Sequence, residues 1–166
     1  MTALSTAPEA MNKTATSNEK NQAEDRLAAS LFAEVFITDQ LSRNLISRAL
    51  PRGMQISHFS VLNLLAHLGE ERTPAQLAEA FHVTRGAMTN TLSRLEWAGH
   101  IHIRPDWDDA RRKFVSISPA GRAARDAATA AFMPLIADVV RDIGIERVRV
   151  ALPVLRELRR RLEGGN

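Results

Sequence analysis

The 166-residue sequence contains no cysteine and no tyrosine, and only 5% of its residues are aromatic. Without cysteine the chain cannot form disulfides, a thiolate metal site or a thiol redox switch. It also lacks the roughly 18 to 20 consecutive apolar residues that a membrane span needs. Residues 1–22 have no apolar stretch of the kind found in secretory signals, so we expect a cytoplasmic protein with no membrane partner.

Motifs for catalysis and metal binding are scarce as well. The five histidines form no HExxH pattern. His67 and Glu70 or Glu71 have a helical spacing that could hold a cation, but this spacing alone is thin evidence for a metal site. The chain has no Gly-rich phosphate loop, no nucleophile that can be placed beside a His and a carboxylate, and no tyrosine to act as an acid. We therefore expect no metal, no cofactor and no catalytic residue, which means a protein that is not an enzyme.

The net charge says little about what the protein binds. The formal net charge of +3 is compatible with nucleic acid, but many soluble proteins are mildly basic. Between residues 57 and 118, the Arg and Lys side chains are matched in number by Asp and Glu. A nucleic-acid site must therefore be argued from geometry.

Hydrophobic periodicity divides the chain into three parts. Residues 1–21 have no apolar period, and we expect them to form a disordered tail. Residues 22–50 and 119–163 carry apolar side chains at helical spacing, and the first of these segments is apolar on more than one side. We expect both segments to be helical, and the first to be a candidate dimerisation surface. Residues 54–118 between them have the signals of a compact lobe.

Capping residues predict the helices of this lobe. Ser57, with Ile56 and Val61 placed as a hydrophobic staple across it, is expected to cap a helix that stops near Gly69. Thr73 followed by proline begins a short helix, and Thr84 is expected to cap the next one, which runs to about residue 98. Three helices with short turns are the result.

Two alternating apolar segments follow these helices. Ile101 and Ile103 alternate with polar residues, as do Val115 and Ile117, and residues 105–112 form a polar loop between the two segments. Ser118 and its following proline then begin a long helix. These elements predict a mainly α fold with a small two-stranded β-wing, in which a winged helix-turn-helix core is flanked by N- and C-terminal dimerisation helices.

The second helix of the predicted helix-turn-helix has two distinct faces. A rotation of about 100° per residue places Thr84, Met88, Leu92 and Leu95 on one side. The opposite face is small, polar and nearly free of acid, and consists of Arg85, Gly86, Thr89, Asn90 and Ser93. Such a face fits the major groove of DNA, which admits a helix and presents paired donors and acceptors.

The residue types on this face predict their roles. Arg reads guanine and Asn reads adenine in pairs of hydrogen bonds, so we expect Arg85 and Asn90 to contact bases. Hydroxyl groups, cations and helix N-termini fix register on phosphates, and we expect such contacts from Thr84, Thr89, Ser93 and Arg94. The alternative interpretation is a helix face that only meets solvent.

The hairpin loop supplies further cations. Arg111, Arg112 and Lys113 lie where a wing can reach the narrow, negative minor groove of A-tracts. Asp109 is spaced to hold Arg111 in one rotamer. The alternative is a plain surface ion pair, which contributes about 0–1 kcal/mol.

The run TPAQLAEAFHVTRGAMTNTLSRLEWAGHIHIRPDWDDARRKFVSISPAGR resembles the DNA-binding core of the MarR (multiple antibiotic resistance regulator) family. It has the helix-turn-helix, a Leu-Glu before a glycine, an acidic wing loop with Asp-x-Arg at Asp109 and Arg111, and a Ser-Pro-x-Gly helix start. The resemblance covers about residues 27–162. His82, Thr91 and Trp107 depart from the family pattern.

The resemblance implies a homodimer whose N- and C-terminal helices intertwine, with recognition helices in successive major grooves and a wing arginine at each minor groove. It also implies a small aromatic effector bound between the dimer helices and the DNA-binding lobe. We thus expect a sequence-specific regulator of transcription that binds double-stranded DNA, acting as a ligand-responsive repressor on a pseudo-palindromic operator. The alternatives are a winged-helix module for protein interaction and, more distantly, a small enzyme.

Overall fold

The computed structural model describes residues 7–109 and 111–164, with side chains for Asn18 and from Lys20 onward. The described elements are α1 Ala7–Ala49, α2 Ile56–Leu68, α3 Pro74–Ala80, α4 Arg85–Trp97, β1 Ile101–Pro105, β2 Lys113–Ile117, α5 Pro119–Ile143 and α6 Ile145–Glu163. The predicted fold class, mainly helical with a two-stranded wing, is confirmed. Within the described ranges, no helix has both the length and the hydropathy to cross a membrane.

The chain divides into two compact units, residues 1–44 and 45–166. In the first unit, α1 begins at Ala7, whereas the sequence predicts a disordered tail through residue 21. Residues 7–21 include three Ala, two Glu and two Lys, which have high helix propensity. Pro8 lies in the first turn, where its missing N–H removes no helical hydrogen bond. Helix propensity thus extends α1 beyond its apolar part, and residues 1–6 of the expected tail lie outside the described residues.

The main core of the second unit joins the three lobe helices to the wing. Leu62 and Leu65 of α2, Leu77 of α3, Leu95 of α4 and Val115 of β2 are all buried in it. Leu77 and Leu95 are apolar positions of the predicted helix-turn-helix, and the 3.6-residue period brings one stripe of each helix to the core. The core therefore fixes how α4 is presented.

A smaller core joins α5 to α2 and to the end of α1. Leu50, Ala128 and Phe132 are buried there, and the rings of Phe59 and Phe132 meet edge to face with centroids 5.1 Å apart. This geometry is favoured by the ring quadrupoles. It anchors the lobe on the first half of α5.

Helix α2 begins two residues earlier than predicted. Its cap is Gln55, not Ser57, and the Gln55 N–H donates to Nδ1 of His58 at 3.3 Å. His58 thus takes the place that Glu or Gln holds in a capping box, which the sequence pattern did not reveal. The expected staple of Ile56 with Val61 is consequently wrong, because the cap lies two residues earlier and Ile56 is the first residue of the helix.

The other predicted caps are present. Thr73 Oγ1 accepts from the Gln76 N–H at 3.2 Å, while Gln76 Oε1 accepts from the Thr73 N–H at 2.9 Å. Thr84 Oγ1 accepts from the Ala87 N–H at 3.2 Å. Each bond satisfies a backbone donor that the helix leaves free, so the starts of α3 and α4 are fixed.

The wing is an antiparallel pair in which Ile101 faces Ile117 and Pro105 faces Lys113. Strand β2, which contains Val115, is also bonded to the segment before α3, because Arg72 and Val115 exchange backbone hydrogen bonds of 3.0 and 2.8 Å. The sequence did not predict this third partner, since a single bridged residue has no periodicity. The bridge ties the wing to the start of the helix-turn-helix.

Ser118 and Gly121 lock the start of α5 against the turn after α4. The buried Ser118 hydroxyl donates to the Gly99 carbonyl at 2.7 Å and accepts from the Gly121 N–H at 2.9 Å. A Cβ on Gly121 would lie 2.9 Å from the carbonyl carbon of His100. The Ser-Pro-x-Gly start therefore has a steric cause, because only glycine allows this close approach.

Candidate nucleic-acid interface

Helix α4 presents the predicted polar face to solvent. Met88, Leu92 and Leu95 are buried. The side chains proposed to contact DNA are all exposed: Arg85, Gly86, Thr89, Asn90, Ser93 and Arg94. No acidic residue lies in the first turn of α4, so the positive end of the helix dipole is uncompensated there. The face can accept an anionic partner.

Thr84 does not lie on the inner face where the helical rotation placed it. As the cap residue it has extended backbone angles, φ −65° and ψ 151°, so it does not follow the rotation of the helix. Its side chain is exposed, which is compatible with the phosphate contact expected of it.

The turn before α4 shows why glycine suits the position that His82 occupies. His82 has φ 49°, in the left-handed region that glycine adopts at least cost. His82 N–H bonds to the Glu79 carbonyl at 3.0 Å and Val83 N–H to the Ala78 carbonyl at 3.0 Å. The turn keeps its geometry with a histidine in a strained position.

Residues of α4 and of the wing line one cleft. Arg85 and Thr89 of α4 border a cavity of ≈ 370 Å³ with Arg111, Arg112 and Lys113, and the start of α3 forms its remaining wall. The structure thereby brings together five residues that the sequence assigned to two separate DNA contacts. Asn90 and Arg94 do not line this cleft.

The Asp-x-Arg pair has the predicted geometry. Asp109 Oδ1 accepts both from the Arg111 N–H at 3.0 Å and from Arg111 Nε at 3.1 Å. The Arg111 side chain nevertheless remains 92% exposed. Asp109 thus orients a solvent-facing guanidinium, and the role of this pair in DNA binding stays a prediction.

Arg112 makes more contacts within the wing than Arg111 does. Its Nε lies 3.8 Å from Asp106 Oδ2, and its guanidinium carbon lies 5.8 Å from the centroid of the Phe114 ring. A cation over an aromatic face is held by the ring quadrupole. Among the wing arginines, Arg111 is consequently the better placed to reach a partner.

Sequence reasoning missed an ion pair that braces the wing. Arg104 Nε donates to Glu71 Oε1 at 3.0 Å, and the guanidinium also lies 5.0 Å from the Phe114 centroid. The hydrogen bond with Glu71 raises the pKa of Arg104. The partners are 33 positions apart in the chain, so no local spacing could have revealed them. Glu71 and Glu70, weighed above as cation ligands with His67, instead pair with Arg104 and Arg72.

A second cavity lies between α2, α4 and the start of α5. It has a volume of ≈ 630 Å³, and its walls include Met54, Leu95 and Trp97 together with the polar side chains of His58 and Arg94. Apolar walls with a few convergent polar groups are typical of small-molecule sites. Arg94, which we expected at phosphate, borders this cavity.

His58 is the unusual group in this cavity, and the sequence analysis did not single it out. It is only 8% exposed, and its Nε2 has no hydrogen-bond partner among the described residues. Burial, then the charges of Arg94 and His100, lower its pKa. Because Nδ1 accepts from Gln55, the proton of the neutral ring lies on Nε2. The ring therefore carries one buried N–H donor that has no partner among the described residues.

These features define a winged-helix protein with an exposed recognition helix. Residues 52–112 match the sequence model of the MarR family. The structure resembles the transcriptional regulator BldR from Sulfolobus solfataricus, at 25% identity over 80% of this chain and 94% of that chain, with a TM-score of 0.70. The match of residues 52–112 to the family model confirms the predicted resemblance to the MarR family over this part of the chain.

Two further solved structures share the fold. A MarR variant from E. coli complexed with operator DNA is 22% identical, over 77% of this chain and 92% of that chain, with a TM-score of 0.68. A MarR-family regulator from Rhodococcus sp. RHA1 is 20% identical, over 80% and 94% of the two chains, with a TM-score of 0.70. No curated protein matches the chain.

Proposed function

We propose that this protein is a transcription regulator that binds double-stranded DNA as a homodimer on a pseudo-palindromic operator. The observation that carries the proposal is the shared cleft of α4 and the wing, where Arg85 and Thr89 stand beside three wing cations. One surface can then engage adjacent grooves of a duplex. The solved E. coli MarR variant with operator DNA supports this assignment by its similar fold.

The contacts divide by chemistry. Arg85 and Asn90 read base edges in the major groove, and Gly86 lets the helix approach closely because the space beside its Cα is open. The remaining polar side chains of the helix, Thr84, Thr89, Ser93 and Arg94, set the register on phosphates. In the wing, Arg111 enters the minor groove with Asp109 as its support, while Arg112 and Lys113 add charge near the backbone.

The dimer is proposed from exposed apolar side chains. In the first unit, Leu27, Phe36 and Leu41 of α1 are exposed, and in the second unit so are Val150 and Val154 of α6. Large apolar surfaces of this kind are normally covered by a partner. Two-fold symmetry would set the recognition helices about 34–36 Å apart, which is one turn of DNA.

Regulation by a small aromatic effector is the finer part of the proposal. The cavity beside His58 offers apolar walls, an N–H donor and the Arg94 guanidinium, which together fit an aromatic carboxylate. Because Arg94 belongs to α4, an occupied cavity favours a different position of the recognition helix, and operator affinity falls by population shift. The protein then acts as a repressor that its ligand releases.

Fluorescence anisotropy with the best duplex selected from a random pool, repeated at several salt concentrations, tests the DNA interface. Arg111→Ala should make the negative slope of log K against log salt shallower by about 1, whereas Asn90→Ala should chiefly relax base preference. Arg141→Ala, which removes an exposed arginine at the end of α5, is the control for charge alone. Unchanged binding in both test variants contradicts this interface, and absence of a salt slope favours a protein-interaction module.

A thermal-shift titration with benzoate tests the effector site. Benzoate should raise the Tm of the unsubstituted chain and weaken its operator binding, because it binds the cavity. His58→Gln keeps a side-chain acceptor for the Gln55 N–H but moves the donor, so both effects should shrink. Equal responses of the two chains would place the effector elsewhere.

A further inference from the structure

The wing carries an exposed tryptophan that none of the contacts above uses. Trp107 is 86% exposed in the loop between β1 and β2. Tryptophan is among the residues that bury the most surface when a partner covers them, and it is enriched at the centres of interfaces. Its exposure therefore marks a contact surface of the wing.

The loop holds Trp107 in a defined position. Asp106 Oδ1 accepts from the Asp108 N–H at 3.1 Å, so the residues on both sides of Trp107 are tied together. The Asp106 N–H donates to the Arg112 carbonyl at 3.0 Å, and the Arg112 N–H donates to the Asp109 carbonyl at 2.8 Å. A side chain on a closed loop loses less entropy on binding than one on a free loop.

The surrounding charges favour an apolar contact with DNA. Asp106 pairs with Arg112, and Asp109 pairs with Arg111. Asp108 is also exposed, so the side chains next to Trp107 in the chain supply no cation for a phosphate. The narrow minor groove, which attracts the neighbouring Arg111, also presents sugars and base steps that an apolar wedge can enter.

From this juxtaposition we infer that Trp107 is a wedge which enters the minor groove beside Arg111 and packs on sugars and base edges. The inference rests on the proposed function, because it needs the wing to meet DNA. It adds an apolar contact to a wing whose other contacts are ionic. It also assigns the wing a preference for base steps that unstack easily, such as TA and CA.

The two tryptophans of the chain allow a direct optical test. In Trp97→Phe the only remaining tryptophan is Trp107, and in Trp107→Phe it is Trp97. Each variant is titrated with the best duplex selected from a random pool by the unsubstituted protein. Emission of Trp107 should fall and its quenching by acrylamide should decrease severalfold when the duplex binds, because bases shield and quench the ring. Unchanged emission and quenching of Trp107 on a bound duplex overturn the wedge and leave the proposed function intact.

Affinity provides the second readout. Trp107→Ala should weaken binding of the same duplex about tenfold, the order of magnitude of an aromatic contact with a base, while Trp107→Phe keeps most of the affinity. Replacing a flanking TA step of the duplex by GC should lower the affinity of the unsubstituted protein by about the same factor. The affinity of Trp107→Ala should change little. Equal affinities of the unsubstituted protein, Trp107→Ala and Trp107→Phe would overturn the wedge. So would shielding of Trp107 that increases with protein concentration in the absence of DNA. Selection of no duplex by the unsubstituted protein overturns the proposed function, and the wedge with it.

Discussion

A methyl group at Gly121 should destabilise the protein strongly. The added Cβ would lie 2.9 Å from the His100 carbonyl carbon and 3.0 Å from Cγ1 of Ile117, whereas carbon atoms pack best at about 3.5–4.0 Å. The His100 carbonyl cannot simply move away, because it accepts the Ser118 N–H at 3.0 Å. Overpacking costs about 1–3 kcal/mol and a weakened hydrogen bond about 0.5–1.5 kcal/mol, while alanine returns about 0.5–1 kcal/mol of helix propensity.

The net loss for Gly121→Ala is about 2–3 kcal/mol, which corresponds to a fall in Tm of roughly 5–10 °C for a chain of this length. Gly86→Ala is a matched control, since a Cβ on Gly86 meets no atom within 4 Å and the residue is helical. Both variants and the unsubstituted chain are heated at one protein concentration, because oligomer stability depends on concentration. A Tm of Gly121→Ala equal to that of Gly86→Ala would refute the steric argument.

Three other outcomes follow from the same geometry. His82→Gly should raise stability by about 0.5–1 kcal/mol in urea unfolding, because relief of left-handed strain exceeds the entropy that glycine costs; a loss would show that the histidine ring contributes packing. Gly86→Ala should be more stable yet bind the selected duplex more weakly, since its methyl group occupies space proposed for the major groove, and unaltered affinity would place the groove elsewhere. Because burial lowers the pKa of His58, folding disfavours its protonation, so stability should be full above the unfolded pKa of about 6.5 and decline below it. His58→Gln should flatten that decline between pH 7 and pH 5, and an identical pH profile would remove His58 as its cause.

The order of elements could be predicted because the determining signals are local. Thr73, Thr84 and Ser118 cap helices through bonds to residues three positions later, and such spacings can be read directly. The buried stripe of α4 follows from its period. The same reasoning failed at Gln55, because a histidine closing the cap from His58 is not a common pattern.

What could not be predicted depends on partners distant in the chain. The Arg104–Glu71 pair and the Arg72 bridge to Val115 join segments that only the tertiary fold brings together. The unused donor of His58 can be recognised only from the surrounding helices, which show that no described residue reaches Nε2. The start of α1 at Ala7 was missed for a different reason, since helix propensity without an apolar period gave no signal.

Methylation protection on the selected operator is the most direct test of the central claim. If two copies place Arg85 in successive major grooves, guanine N7 atoms should be protected in two patches about 10–10.5 base pairs apart, related by a dyad. Arg85→Ala should lose protection in both patches together. A single protected patch, or protection that is unchanged in Arg85→Ala, would contradict a dimer that reads DNA through α4.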